Sequence, residues 1–264
     1  MKTMTAPLPT PDHQDVVQDR LLDGHVLLTQ PRQGYRVAID PVFLAAFLPL
    51  RPGQKLLDAG CGVGAVLLCL LHRQPDLHIV GLEREDLYAQ LARKNSRDNG
   101  HHVPIVQANF LASDIQTTLK EALAWEKVAF DHIVMNPPYL ESFQATASPS
   151  ALKNKAHIEE APQDLARWIG TAHKLLRFKG QLSLIHRADR LPQILAALTP
   201  AFGDISIVPL WPQAHKPAKR ILISARRGVK SPAQMHPGLV LHHPDGRFTD
   251  QANHILRSGQ GMCF

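Results

Sequence analysis

The sequence predicts an α/β domain in which a doubly wound, mostly parallel sheet of seven strands carries helices on both faces. Three observations predict it. From Gln54 to Leu198, apolar runs of strand length alternate with runs of helical period, the pattern of a parallel sheet whose crossovers are helices. A tight loop, Gly60-Cys61-Gly62-Val63-Gly64, joins the first of these strands to the first helix, and only glycine turns a backbone that sharply without strain. Every polar cluster with evident chemistry follows a strand: Asp58 to Gly64, Glu83, Asn109 and Asn136. Open α/β sheets bind ligands at those carboxyl ends.

The elements follow in order. Leu21 to Leu28 alternates enough for a short strand or hairpin. Asp40-Pro41 reads as an N-cap with proline at the first helical position, opening a helix to Leu48 that Pro49 and Pro52-Gly53 end. Lys55 to Ala59 is a strand, and Ala65 to His72 an apolar helix. His78 to Glu83 is the next strand, and Asp86 to Asn99 a helix closed by Asn99-Gly100. Pro104 to Gln107 is a third strand, Leu111 to Glu126 holds a helix, and Phe130 to Met135 is a fourth strand. Leu140 to His157 is a long polar connection of the kind that forms lids and binding segments. Pro162 to Phe178 is an amphipathic helix ended by Lys179-Gly180, followed by a strand from Gln181 to His186 and a helix from Arg190 to Leu198. Asp204 to Leu210 and Ala218 to Ala225 are late strands, and Leu239 to Arg257 reads as strand, turn and helix. The expected organisation is a flexible leader over residues 1–20, a main domain over 21–230 and a tail over 231–264 packed on it.

Composition narrows the classes. The chain has 264 residues, 44% of them hydrophobic, enough for one large core. No apolar run is long enough to span a bilayer, and Met1 to Arg20 has no hydrophobic signal segment. Cys61, Cys69 and Cys263 stand in no metal-ligand spacing, so no metal is expected and a reducing, cytoplasmic setting is. A net charge of +6 favours a polyanionic partner such as RNA. The basic residues concentrate in Lys216 to Lys230, where Lys219, Arg220, Arg226 and Arg227 are the expected RNA contacts, and in His186 to Arg190.

The loop from Asp58 to Gly64 has the form D-x-G-x-G-x-G. Its glycine spacing differs from the dinucleotide fingerprint, and an acid leads it. A pyrophosphate is repelled by that carboxylate, whereas a sulfonium or ammonium is attracted. Glu83 has the acceptors for a ribose diol, and Asn109 for an adenine edge. Asp58, Gly60, Gly62, Gly64, Glu83 and Asn109 together fit S-adenosylmethionine. The polar stretch Tyr35 to Asp40 is a candidate pocket wall.

Asn136-Pro137-Pro138-Tyr139 follows the fourth strand. Two prolines lock φ twice, and each pushes the residue before it out of the α region. The product is a stiff corner suited to gripping a planar group that carries an NH2. The Asn oxygen and a backbone carbonyl accept its hydrogens, and the Tyr ring stacks on its plane.

These motifs resemble the signature of class I S-adenosylmethionine-dependent amino methyltransferases, whose Rossmann-like fold is the one expected above. Three further stretches resemble the bacterial tRNA adenine-N6 methyltransferases: Gly34 to Asp40, Pro217 to Leu222, and Leu239 to Thr249. The resemblance runs from about Leu21 to Gly259. It implies that Asp58, Gly60, Gly62 and Gly64 hold the methionine part of the cofactor, Glu83 its ribose and Asn109 its adenine. It further implies that Asn136 and the Pro137 carbonyl orient the target amine, that Pro138 stiffens the corner, and that Tyr139 stacks on the base. Tyr35, Arg36 and Asp40 would close the pocket. The four-residue corner is shared with adenine-N6 enzymes of DNA and RNA and with glutamine methyltransferases that act on release factors, so a protein glutamine or an adenine of another nucleic acid is the alternative acceptor to adenine in tRNA. A base inside a duplex cannot reach such a pocket, so the nucleotide must be unpaired or flipped.

Overall fold

The structure is a computed structural model, and it describes residues 15–33, 36–137 and 162–262. Eleven strands lie among them: β1 Val16–Leu21, β2 Val26–Pro31, β3 Lys55–Ala59, β4 His78–Glu83, β5 Ile105–Gln107, β6 Phe130–Met135, β7 Leu176–Arg187, β8 Phe202–Gln213, β9 Arg220–Arg227, β10 Gln234–Met235 and β11 Leu239–His242. The helices are α1 Asp40–Phe47, α2 Ala65–Arg73, α3 Asp86–Asp98, α4 Ile115–Leu123, α5 Pro162–Leu175, α6 Leu191–Leu198 and α7 Asp250–Ser258.

The main sheet runs β10-β8-β9-β7-β6-β3-β4-β5, with β11 also pairing with β8. The seven expected strands, β3 to β9, make up most of it, and the two short strands extend it through β8. Strands β3 to β7 are mutually parallel, and β9 runs antiparallel to both β7 and β8. The chain steps from β3 outward to β4 and β5, then returns to lay β6 against the other side of β3. That reversal makes the β3/β6 junction the topological switch point.

Alternate residues of each strand feed two cores, as a period of two requires. Leu56, Val134, Ile185, Leu222 and Val208 join one cluster with α1, α2, α3 and α7. Leu57, Ile133, Leu184, Ile223 and Ile207 join the other with α4, α5 and α6. Helix α2 is buried from Ala65 to Leu71, which explains why its sequence is apolar all round. The Arg73 guanidinium of α2 donates to the Ala45 and Leu48 carbonyls, occupying acceptors at the end of α1 that the helix leaves open.

Two expectations need correction. The first strand begins at Val16, inside the stretch expected as a leader, and it pairs with β2 as a complete hairpin. Of the strand or hairpin expected at Leu21 to Leu28 the structure has the hairpin, with its turn at Leu22–Gly24 and its strands reaching beyond both bounds. This hairpin is held by α3. The amide of Asn99 bonds Leu27 through both its oxygen and its nitrogen (2.8 and 2.7 Å), and Asn95 does the same with Thr29 (2.7 and 2.8 Å). Helical neighbours four apart thus occupy β2 edge groups two residues apart, in the manner of a third strand. The second correction concerns the helix expected to run to Phe178. It stops at Leu175, and Leu176 already pairs with Phe130. A β-carbon at Gly180 would come within 2.9–3.2 Å of the carbonyls of Arg177, Phe130 and Asp131, so close backbone approach sets this bulged entry to β7.

His132 of β6 is fully buried and shares a 2.9 Å hydrogen bond with Ser183 of β7. Burial lowers its pKa from 6.5 to about 3. The folded chain therefore binds fewer protons than the unfolded chain between those values, and this histidine destabilises the fold as pH falls through that window. Replacing it with glutamine, which keeps a donor for Ser183, should spare about 2 kcal/mol of the stability lost between pH 7 and pH 5. Urea unfolding of both proteins at the two pH values measures this; equal losses would contradict it.

Candidate active site

Ala59 pairs with Met135 across the switch point. The glycine loop that follows Ala59 and the Asn136-Pro137 corner that follows Met135 therefore leave from adjacent strand ends. Asn136 is half-buried and Pro137 buried. Pro138, Tyr139 and Tyr35, together with the Leu140 to His157 connection, lie outside the described residues.

Gly60, Gly62 and Gly64 all have positive φ (70°, 56° and 91°). The amides of Gly60 and Cys61 both donate to the Leu82 carbonyl, which ties the loop to β4. A β-carbon at Gly62 would meet open space, whereas one at Gly60 would stand 2.8 Å from the Trp168 ring. The loop thus shows a bare backbone to the space beside it, and its other side is closed by an aromatic ring.

Two acids flank this space. Asp58 is 1% exposed, and its Oδ2 has no hydrogen-bond partner among the described residues. Burial raises its pKa to about 7; the Leu67 backbone N–H opposes the rise and the charge of Glu83 adds to it. Glu83, at the end of β4, accepts from the Gly62 amide through Oε2 and from the Glu85 amide through Oε1, each at 2.9 Å. Burial raises its pKa as well, opposed by backbone N–H groups of Glu85, Gly62 and Arg84. A carboxylate has about four lone-pair sites, so Glu83 keeps acceptor capacity beyond these three backbone N–H groups. An unpartnered buried carboxylate oxygen, a bare glycine backbone and a second carboxylate with spare lone pairs fit S-adenosylmethionine: a cation, a close-lying chain and a diol. Burial, with the charges of Asp58 and Glu83, pushes the Cys61 thiol well above the ordinary range and disfavours its thiolate.

The remaining expected residues are not all brought together. Asn109 is exposed after β5, and its Oδ1 accepts from the Leu111 amide at 2.9 Å. That local turn takes one of the two lone pairs of the Asn109 oxygen and orients the side chain. Arg36 is bonded to Asp19 of β1 at 2.6 Å, so its guanidinium is committed to the hairpin. Asp40, the first residue of α1, accepts from Arg220 at 3.0 Å. A pocket-wall candidate and an RNA-contact candidate are thus partners of each other.

The four expected RNA contacts do not form one patch. Because β9 is antiparallel to β7, Arg220 lies opposite Arg187 at the carboxyl edge of the sheet, and Arg226 lies opposite Gln181 at the far edge. Six strand residues separate them by about 20 Å. Lys219 is exposed at the carboxyl edge, where its carbonyl accepts from the Ala188 amide. Arg226 faces Asp204 (3.6 Å), and Arg227 donates to the Leu176 carbonyl. The basic stretch His186 to Arg190 ends on the same edge as Lys219.

Sequence reasoning missed Trp168. It lies on α5, with its ring 4.9 Å from that of Phe110, next to Asn109, and against Gly60. Its helical position reads as ordinary core, and no local signal links it to a loop more than a hundred residues away. Among the described residues no group of His, Cys, Asp or Glu is arranged to hold a metal ion, and no helix is long and apolar enough to cross a membrane.

A family model described as the methyltransferase small domain matches residues 37–209. A protein of Porphyromonas gingivalis named tRNA1(Val) (adenine(37)-N6)-methyltransferase is 33% identical over 82% of this chain and 85% of its own. A protein of the same name from Aeromonas hydrophila is 27% identical over 83% and 88%. Among solved structures, one described as a predicted O-methyltransferase from Agrobacterium tumefaciens superposes with a TM-score of 0.67 at 23% identity, over 84% of this chain and 98% of that one. This last likeness concerns the fold.

The raised pKa of Asp58 has a stability consequence. Its stabilising contribution is complete below the unfolded value near 3.8 and is lost as pH rises toward 7. Asp58→Asn should therefore stabilise the ligand-free protein at pH 8 by about 2 kcal/mol, after allowing for the unpaired amide it introduces, and the gain should shrink toward pH 4. The same variant should bind S-adenosylhomocysteine more weakly. Urea unfolding at both pH values, with and without that ligand, provides the check.

Proposed function

The chain belongs to the methyltransferase small domain family, and from that premise we propose that it moves a methyl group from S-adenosylmethionine to the exocyclic N6 of an adenine in tRNA. The curated relatives are named for adenine 37 of tRNA1(Val), which makes that nucleotide the first acceptor to test. The observation that most supports the reading is the register of β3 with β6, because Ala59 opposite Met135 starts the donor loop and the Asn136-Pro137 corner side by side. The net charge of +6 favours RNA over a release-factor glutamine as the acceptor. A tRNA acceptor also implies a cytoplasmic enzyme.

Bound S-adenosylmethionine supplies a methyl group activated by its sulfonium. Asp58 and the backbone at Gly60, Gly62 and Gly64 would hold its methionine part, and Glu83 its ribose. Asn109 would contact the adenine through its exposed side-chain amide, whose Oδ1 also accepts from Leu111. The Asn136 side-chain oxygen and the Pro137 carbonyl would each accept one hydrogen of the target amine. Those two acceptors favour a pyramidal nitrogen, freeing a lone pair that is otherwise conjugated into the ring. Catalysis by these groups is positioning and electrostatics, with Pro138 stiffening the corner and Tyr139 stacking on the base. Tyr35, Arg36 and Asp40 would border the pocket, Asp40 held there by Arg220.

Asn136→Ala should lower kcat for methyl transfer to tRNA by about 100-fold or more while leaving the Kd for S-adenosylhomocysteine nearly unchanged. Transfer of labelled methyl to tRNA1(Val), run beside a release-factor acceptor, tests both the residue and the substrate. Labelled release factor with unlabelled tRNA would sink the proposal.

RNA that reaches Asn136 must pass the carboxyl edge of the sheet. Lys216 and Lys219 are exposed there, whereas Arg226 and Arg227 are at the far edge. Lys216→Ala with Lys219→Ala should weaken tRNA binding and reduce its log–log salt slope by about 1 to 2. Arg226→Ala with Arg227→Ala should leave the slope unchanged. Binding titrations across a salt series decide, and a flatter slope only in the second pair would refute the assignment.

A further inference from the structure

One side chain joins the glycine loop to the amino-terminal hairpin. Asn95 is 0% exposed, in the third turn of α3. Its Oδ1 accepts from the Thr29 amide, and its Nδ2 donates both to the Thr29 carbonyl (2.8 Å) and to the Val63 carbonyl (2.9 Å). Val63 stands between Gly62 and Gly64, two of the loop's three glycines, which carry no side-chain restraint on their backbone. A peptide flanked by two glycines swings easily, and a buried donor on its carbonyl removes that freedom.

The hairpin reaches the site from a second direction. Gln30 of β2, 2% exposed, accepts from the Val37 amide at 2.8 Å and donates to Asp19, which in turn holds Arg36. Residues 36–37 lead into α1, whose first residue is Asp40. The hairpin therefore bonds one flank of the site through Gln30 and the donor loop through Asn95.

We propose that Asn95 is a positioning residue for the cofactor: by fixing the Val63 carbonyl against β2, it sets the geometry of the glycine loop and couples cofactor binding to the seating of the hairpin. The proposal rests on the reading of Asp58 to Gly64 as the cofactor loop. Asn99 supplies a natural control. It makes the same two bonds to the hairpin, at Leu27, and its third goes to the Asn95 carbonyl within its own helix. A residue that only tethers the hairpin would behave as Asn99 does.

The test compares Asn95→Ser, Asn99→Ser and Asp58→Ala with wild type, measuring S-adenosylhomocysteine affinity by calorimetry and the KM and kcat for S-adenosylmethionine. Asn95→Ser should raise both Kd and KM by about tenfold while largely preserving kcat, and Asn99→Ser should change them less than about twofold even though both variants lose stability. Equal effects of the two serine variants, or none from Asn95→Ser, would overturn the proposal. Affinity that survives Asp58→Ala would overturn the cofactor-loop reading, and the proposal with it. Should Asn95→Ser fail to fold, hydrogen exchange on the wild-type chain decides. Adding S-adenosylhomocysteine should slow exchange at the Thr29 amide more than at the Leu27 amide, and equal slowing at both would refute the coupling.

Discussion

The site depends on a reversal of strand order. Because the chain returns from β5 to lay β6 beside β3, the helices that follow those two strands, α2 and α5, pack on opposite faces of the sheet, the arrangement that opens a crevice in doubly wound sheets. Parallel pairing then puts both carboxyl ends at one edge, with Ala59 level with Met135. The glycine loop and the Asn136-Pro137 corner need no contact with each other to be neighbours. They inherit their proximity from the sheet, whose strands are buried on both faces and held in register by two separate cores.

That edge carries electrostatic and conformational cost. Asp58 and Glu83 are buried acids, and burial pushes both toward the neutral form. Three positive-φ glycines in five residues give up the restraint that side chains would supply. The surroundings offset this with a dense set of bonds: Leu82 takes two loop amides, Glu83 takes a third, and Asn95 fixes the Val63 carbonyl. The loop is thereby shaped before any ligand arrives, so less ordering has to be done on binding.

Much of the fold and the motifs was legible because they rest on local rules. Alternating strand and helix periods need only the chain itself, and so do the glycine loop and the double-proline corner. A hairpin is among the readings of Leu21 to Leu28, but its extent is not legible there, because its first strand starts at Val16 in the polar leader and asparagine amides on a distant helix bond its second strand. The entry to β7 was misread because Leu176 to Phe178 continue a helical period, while the pairing that overrides it comes from Phe130. Asn109 sits after β5 as expected, but its short side chain satisfies its own turn.

The sequence by itself determined the chemistry on offer: a glycine backbone led by an acid, a second acid one strand later, and a rigid Asn-Pro corner. It determined the family too, because each of these features is a short local stretch of the chain. Tertiary structure alone decided which basic groups share an edge. Lys219 and Arg226 belong to one basic stretch in sequence, yet an antiparallel strand carries its two ends to opposite sides of the sheet. It also decided that Trp168 closes behind Gly60, that Asp40 pairs with Arg220, and that Asn95 binds the donor loop to the hairpin. Each of these joins residues far apart in the chain, and strand direction and register are set only when the whole sheet forms.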